Sequence, residues 1–240
     1  MKEQRKSWTN IILAILPPLS TVVMTVVAYF AAFMGSYMLL GNYEDLETDN
    51  LGVHAPLFLL IRNVLMLIAF SYWYYIFFLR KKEPDIIDNI KAGFRSVKKP
   101  VFYIIIVIGG YILQFIVTHI IRLLTSLLPD FMSGYNSEVG SLIKGDVSVL
   151  TLLSVALIAP IAEELLFRGL TQKYAERAIG ALPAIFFQAA LFGIYHMNIV
   201  QGIYAFIFGI IFGFIARKTK SVFPGIVLHI IFNISAYLIP

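Results

Sequence analysis

The feature that most constrains this chain is a succession of apolar runs, each long enough to cross the roughly 30 Å of a bilayer's hydrocarbon as a helix. The runs begin near Ile11, Pro56, Val101, Val149, Leu182, Ile199 and Val222. They predict an all-α fold: a polytopic integral membrane bundle with about seven transmembrane helices. Composition supports this, since 59% of the 240 residues are hydrophobic and only 14% are charged, more apolar surface than one soluble core of this size can hide. The first run, residues 9–40, is far longer than the apolar stretch of a signal peptide, so it reads as a retained span, bent at Pro17 and Pro18.

The net charge of +5 raises the possibility of a nucleic-acid partner, but the cations follow topology and form no patch interleaved with aromatic residues. With the amino terminus placed in the cytosol, alternating spans put Lys2, Arg5, Lys6, the basic segment 80–99, Lys173, Arg177, Arg217, Lys218 and Lys220 on the cytosolic side. That collects fifteen of the 19 Lys and Arg residues. The opposite side receives the acid-rich stretch 41–50 and a loop over residues 129–146. The positive-inside rule therefore predicts a multi-pass protein of the plasma membrane with a cytosolic amino terminus and no nucleic-acid partner. The chain has no cysteine, which excludes disulfides, thiolate metal sites and a cysteine nucleophile.

The basic segment divides the chain into a front part, residues 1–100, and a rear part, residues 101–240, in which the ionisable residues at membrane depth gather. Ile86, Ile87, Ile90 and Phe94 within the segment suit a helix lying on the inner leaflet, or equally a solvated linker helix. The Gly209–Gly213 spacing reads as close helix packing, and the aromatic group at Tyr72–Tyr75 as an interfacial belt.

Ionisable side chains at membrane depth are costly and usually face a bundle interior or a water-filled cavity. In PIAEELLFRG, residues 160–169, Glu164 and Arg168 are four apart with the acid first, the favoured order for a pair on one helical face. Glu163 lies about 140° around the helix axis from Arg168 and is left free for chemistry. His196 ends the next apolar run, and His229 and Asn233 share a face of the last one. Counted at about 1.5 Å per residue from the cytosolic ends, Glu163 lies ~15 Å deep, His196 ~21 Å, His229 ~12 Å and Asn233 ~18 Å, one middle layer delivered by three helices. A structural cross-brace explains any one of these residues; a shared catalytic site explains them together. His119 with Arg122, and Arg62 with Asn63, read as structural or snorkelling residues near the outer ends of their spans.

Taken in order, Glu163-Glu164-x-x-x-Arg168, Phe192-x-x-x-His196 and His229-x-x-x-Asn233 on successive apolar helices resemble the signature motifs of the CAAX protease and bacteriocin-processing (CPBP/Abi) family. The resemblance covers roughly residue 149 to the carboxyl end. It implies an intramembrane endopeptidase that cuts a peptide or protein tail, here expected near the cytosolic membrane face. Glu163 and His196 would activate a water, His229 and Asn233 would stabilise the oxyanion, and Glu164 with Arg168 would hold the site together. The partners it implies are a peptide or protein substrate and the lipid bilayer. The family also includes scaffolds, so a catalytically dispensable regulator that grips another envelope protein or a sensor kinase is the alternative. No cofactor is expected. Zinc is the alternative here too, with Glu163, His196 and His229 as ligands, since two histidines and a glutamate are a known catalytic zinc set. An amide such as Asn233 is a poor zinc ligand but a good oxyanion donor, which favours the metal-free reading.

Overall fold

The computed structural model describes residues 2–40, 50–80, 100–143 and 149–238. The acid-rich stretch at 41–49 and the inner-leaflet helix expected within 81–99 lie outside the described residues. The described residues form eight helices and no strand: α1 (Lys2–Leu40), α2 (Asn50–Tyr74, prolonged by a π turn over Tyr75–Leu79), α3 (Pro100–Leu127), α4 (Pro129–Ile143), α5 (Val149–Ile179), α6 (Ala181–Tyr195), α7 (Ile199–Thr219) and α8 (Phe223–Leu238).

Among the described residues, five stretches are long and apolar enough to cross a membrane: Ser7–Gly35, Pro56–Leu79, Ile104–Leu127, Val149–Ile179 and Ile199–Thr219. The other two apolar runs expected from the sequence form shorter helices, α6 of 15 residues and α8 of 16. The chain is thus an all-helical membrane bundle. The surface agrees, because Val22, Val23, Phe30, Ile105, Ile116 and Leu123 are all exposed, as lipid-facing side chains should be.

Helix α1 continues through Pro17 and Pro18, where the hydroxyls of Ser20 and Thr21 donate to the carbonyls of those two prolines at 2.7 and 2.6 Å. The loop expected at 129–146 is largely helix instead. Pro129 opens α4 with a φ already suited to a first turn, Asp130 complements the helix dipole, and Met132 and Tyr135 pack one turn apart against Val200, Tyr204 and Leu124. Gly134, Ser133 and Ser137 hide that helix from propensity; burial of one face decides it.

The front and rear parts share one core. Met66, Phe70, Tyr74 and Phe78 of α2 and Ala14 of α1 pack with Leu166, Phe167, Leu170 and Tyr174 of α5. The tightest pairing joins α6 to α7: a Cβ on Gly193 would lie 2.7 Å from the Gly202 carbonyl, so only glycine lets these backbones meet. Further along the same pair, Gly209 sits against Ala189.

The basic ends of four helices converge. Ser7 of α1 donates to the Ala178 carbonyl, Lys173 donates to the Tyr74 hydroxyl at 2.8 Å, Arg177 lies over the Phe78 ring, and Arg217 pairs with Glu176 at 3.4 Å. One end of the bundle therefore carries the cations of α5 and α7 together with the start of α1 and the end of α2.

Candidate active site

Helix α5 is not regular. Two π stretches, Leu153–Ile158 and Leu165–Thr171, bracket the α-helical turn that carries Glu163 and Glu164. A π insertion interrupts the ordinary ladder and leaves a backbone group seeking another partner, and such insertions gather at functional sites. Here the Asn233 amide donates to the Val155 carbonyl at 3.0 Å. The Asn63 amide donates to the Ser154 carbonyl at 3.3 Å and to the Ser154 hydroxyl at 2.9 Å. Two asparagines from α2 and α8 thus grip the first π stretch from either side.

The two glutamates point apart. Glu164 is fully buried, and its Oε1 accepts from Arg168 Nη1 at 2.8 Å. The guanidinium lies 4.4 Å from the centre of the Phe192 ring and 5.2 Å from that of Phe212, an aromatic cage that replaces much of its lost hydration. The same Glu164 oxygen is 3.1 Å from His229 Nδ1. Glu164 therefore does more than neutralise Arg168, because it fixes the orientation of His229 and turns Nε2 of that ring the other way. Nε2 stands 3.7 Å from Glu163 Oε2.

Glu163 faces a cavity of about 260 Å³ whose lining also includes His196, His229 and Asn233. The structure brings the carboxylate, both imidazoles and the amide of the sequence reading into one space. His229 is the imidazole nearest Glu163; the His196 ring sits at the end of α6, edge-on to Phe192 at 4.8 Å.

Arg62 and Asn63 were placed among structural or snorkelling residues. Asn63 does brace the fold, yet both it and Arg62 line the cavity, with Arg62 Nε and Nη2 donating to the Asn63 side-chain Oδ1 at 3.2 and 3.1 Å. Gln201 and Tyr204 of α7 line it as well. The signal for Arg62 was an arginine inside an apolar run; which wall it faced depended on packing between helices. His119 is exposed and bonds the Phe115 carbonyl of its own helix, apart from the site.

Glu163 and His229 have the separation of two ligands on one ion, yet among the described residues no three His, Cys, Asp or Glu side chains converge on a common point. The zinc set Glu163, His196 and His229 does not close as the side chains stand.

The fold and cavity define a polytopic membrane bundle that encloses a carboxylate and imidazole site. Residues 145–235, which run from α5 into α8 and hold all seven motif residues, match the Rce1-like family, described as type II CAAX prenyl endopeptidase Rce1-like. This segment of the chain is thus similar to the CAAX-protease family, and that family implies peptidase activity. No curated protein and no solved structure matches the chain.

Proposed function

We propose that the protein is a membrane-embedded endopeptidase of the CAAX-protease type, resident in the plasma membrane with its amino terminus in the cytosol, and that Glu163 is its general base. The observation that carries the reading is the unequal use of two adjacent carboxylates: Glu164 is held by Arg168 and His229, while Glu163 faces the cavity beside His229 Nε2.

In this mechanism a water between Glu163 and His196 gives a proton to Glu163 as its oxygen attacks the peptide carbonyl carbon. The resulting oxyanion is met by the Asn233 N–H that Val155 does not take and by the Nε2–H of His229 as an imidazolium, whose other N–H, on Nδ1, is given to the Glu164 carboxylate. Collapse of the tetrahedral intermediate breaks the C–N bond, and the proton held by Glu163 passes to the leaving amine. The caged Arg168 and the Glu164 carboxylate hold His229 at the right rotation and touch no reacting atom, so they position the site.

Comparing the peptides of a strain lacking this protein with those of its parent should reveal a precursor that accumulates uncut. A scaffold predicts a different result: a partner that co-purifies with the protein and still does so after substitution of Glu163, His196 and His229, with no processing defect in those variants.

A further inference from the structure

The cavity is not centred in the bundle. Most of its lining lies away from the basic end: Leu59, Arg62 and Asn63 early in α2, Val155 and Ala159 early in α5, Tyr195 and His196 at the close of α6, Gln201 and Tyr204 at the start of α7, and Asn233 late in α8, while Glu163, Phe212 and His229 form its inner end. At about 1.5 Å per residue, Arg62 lies ~26 Å from the basic end of α2, His196 ~22 Å from that of α6, and Gln201 ~27 Å from that of α7, all beyond the midpoint of a hydrocarbon layer roughly 30 Å thick. Exposure follows the same gradient. Glu163 and His229 at the floor are buried, whereas Arg62, His196, Gln201 and Asn233 are half-buried and form the mouth.

The route from the basic end is closed. From Glu164 to Gln172 every residue of α5 except Leu165 is buried, so at this level the helix is enclosed by protein. Arg168, clamped between Phe192 and Phe212, forms the partition. A separate polar cleft of about 310 Å³ opens at the basic end, walled by Lys173, Glu176, Arg217 and Lys220, and no residue lines both spaces.

We propose that the catalytic cavity is served from the membrane face opposite the basic ends. The positive-inside rule assigns the basic ends to the cytosol, so the substrate is a peptide segment presented at the non-cytosolic surface. This replaces the cytosolic-face cleavage expected from the sequence. The inference rests on the peptidase reading for the nature of the substrate, but access can be measured without turnover.

Because the natural chain has no cysteine, single-cysteine variants give an unambiguous label. Gln201→Cys places a thiol at the mouth and keeps the backbone N–H that donates to Asn198 Oδ1; Lys220→Cys places one on the cleft at the basic end. A membrane-impermeant maleimide added to intact cells should label Gln201→Cys and leave Lys220→Cys unlabelled, and inside-out vesicles should reverse the pattern. Labelling of Gln201→Cys only from the cytosolic side, or of Lys220→Cys from outside, overturns the proposal. A second mouth variant, Tyr204→Cys, gives the same readout if the first fails to insert. A wrong access side leaves the role of Glu163 intact, and a non-catalytic Glu163 leaves the labelling pattern intact.

Discussion

Replacing Arg168 by Ala removes the guanidinium bonded to the fully buried Glu164 carboxylate. Among the described residues, Glu164 Oε1 would keep His229 alone as a partner, and Oε2 has none even in the parent. Leaving one member of a buried pair unpaired costs about 3–5 kcal/mol. The lost contacts with Phe192 and Phe212 act on the same side chain, so they are part of that cost and are not added to it. At roughly 2–4 °C per kcal/mol for a chain of this size, the melting temperature should fall by roughly 6–20 °C in the same detergent, followed by intrinsic fluorescence. The double variant Glu164→Gln with Arg168→Gln should recover most of that loss, because replacing both partners avoids the stranded charge. Two results would refute the reasoning: an Arg168→Ala protein that melts with the parent, or a double variant that is less stable than the single one by the full cost of a second, independent lesion.

Gly225 tests the same cluster from α8. A Cβ there would stand 2.9 Å from Glu164 Oε2, so Gly225→Ala should displace the carboxylate, loosen His229 and depress catalysis more than stability; unchanged processing by a folded variant would show that the Glu164–His229 contact does not matter. Purified active protein should contain no stoichiometric zinc and should cut its substrate in the presence of a chelator. Elemental analysis with a chelator titration checks this, and zinc whose removal abolishes cleavage and whose return restores it would overturn the metal-free mechanism.

Much of the fold was legible because lipid makes helix length and polarity speak directly. The apolar runs marked the helices, and the Glu164–Arg168 pair could be read from a spacing that helical geometry makes local. His229 and Asn233, one turn apart, line the same cavity for the same reason. Contacts between helices were not legible. His229 and Glu164 are 65 residues apart, and Asn63 and Ser154 are 91 apart, so whether they meet depends on the rotation of packed helices that no periodicity records. The two π stretches of α5 also had no signature: Leu153–Ile158 has the composition of ordinary apolar helix, and the Arg168 and Gly169 of Leu165–Thr171 do not by themselves mark a widened turn. They nevertheless decide the site, because the Ser154 and Val155 carbonyls that hold Asn63 and Asn233 belong to the first of them. The same limit applied to Arg62, whose charge at membrane depth was visible while its place on the cavity wall was not.

The central claim is that Glu163 accepts the proton of the attacking water. Glu163→Gln keeps the shape of the side chain and removes that function, and loss of a general base lowers a rate by about 10²–10⁴-fold. The decisive measurement is the cleavage rate of a verified substrate by the parent and by Glu163→Gln, each reconstituted in the same vesicles and shown to melt at the same temperature. The mechanism predicts a rate at least about a hundredfold lower for the variant with its fold unchanged. Cleavage by Glu163→Gln at the parent's rate would contradict it.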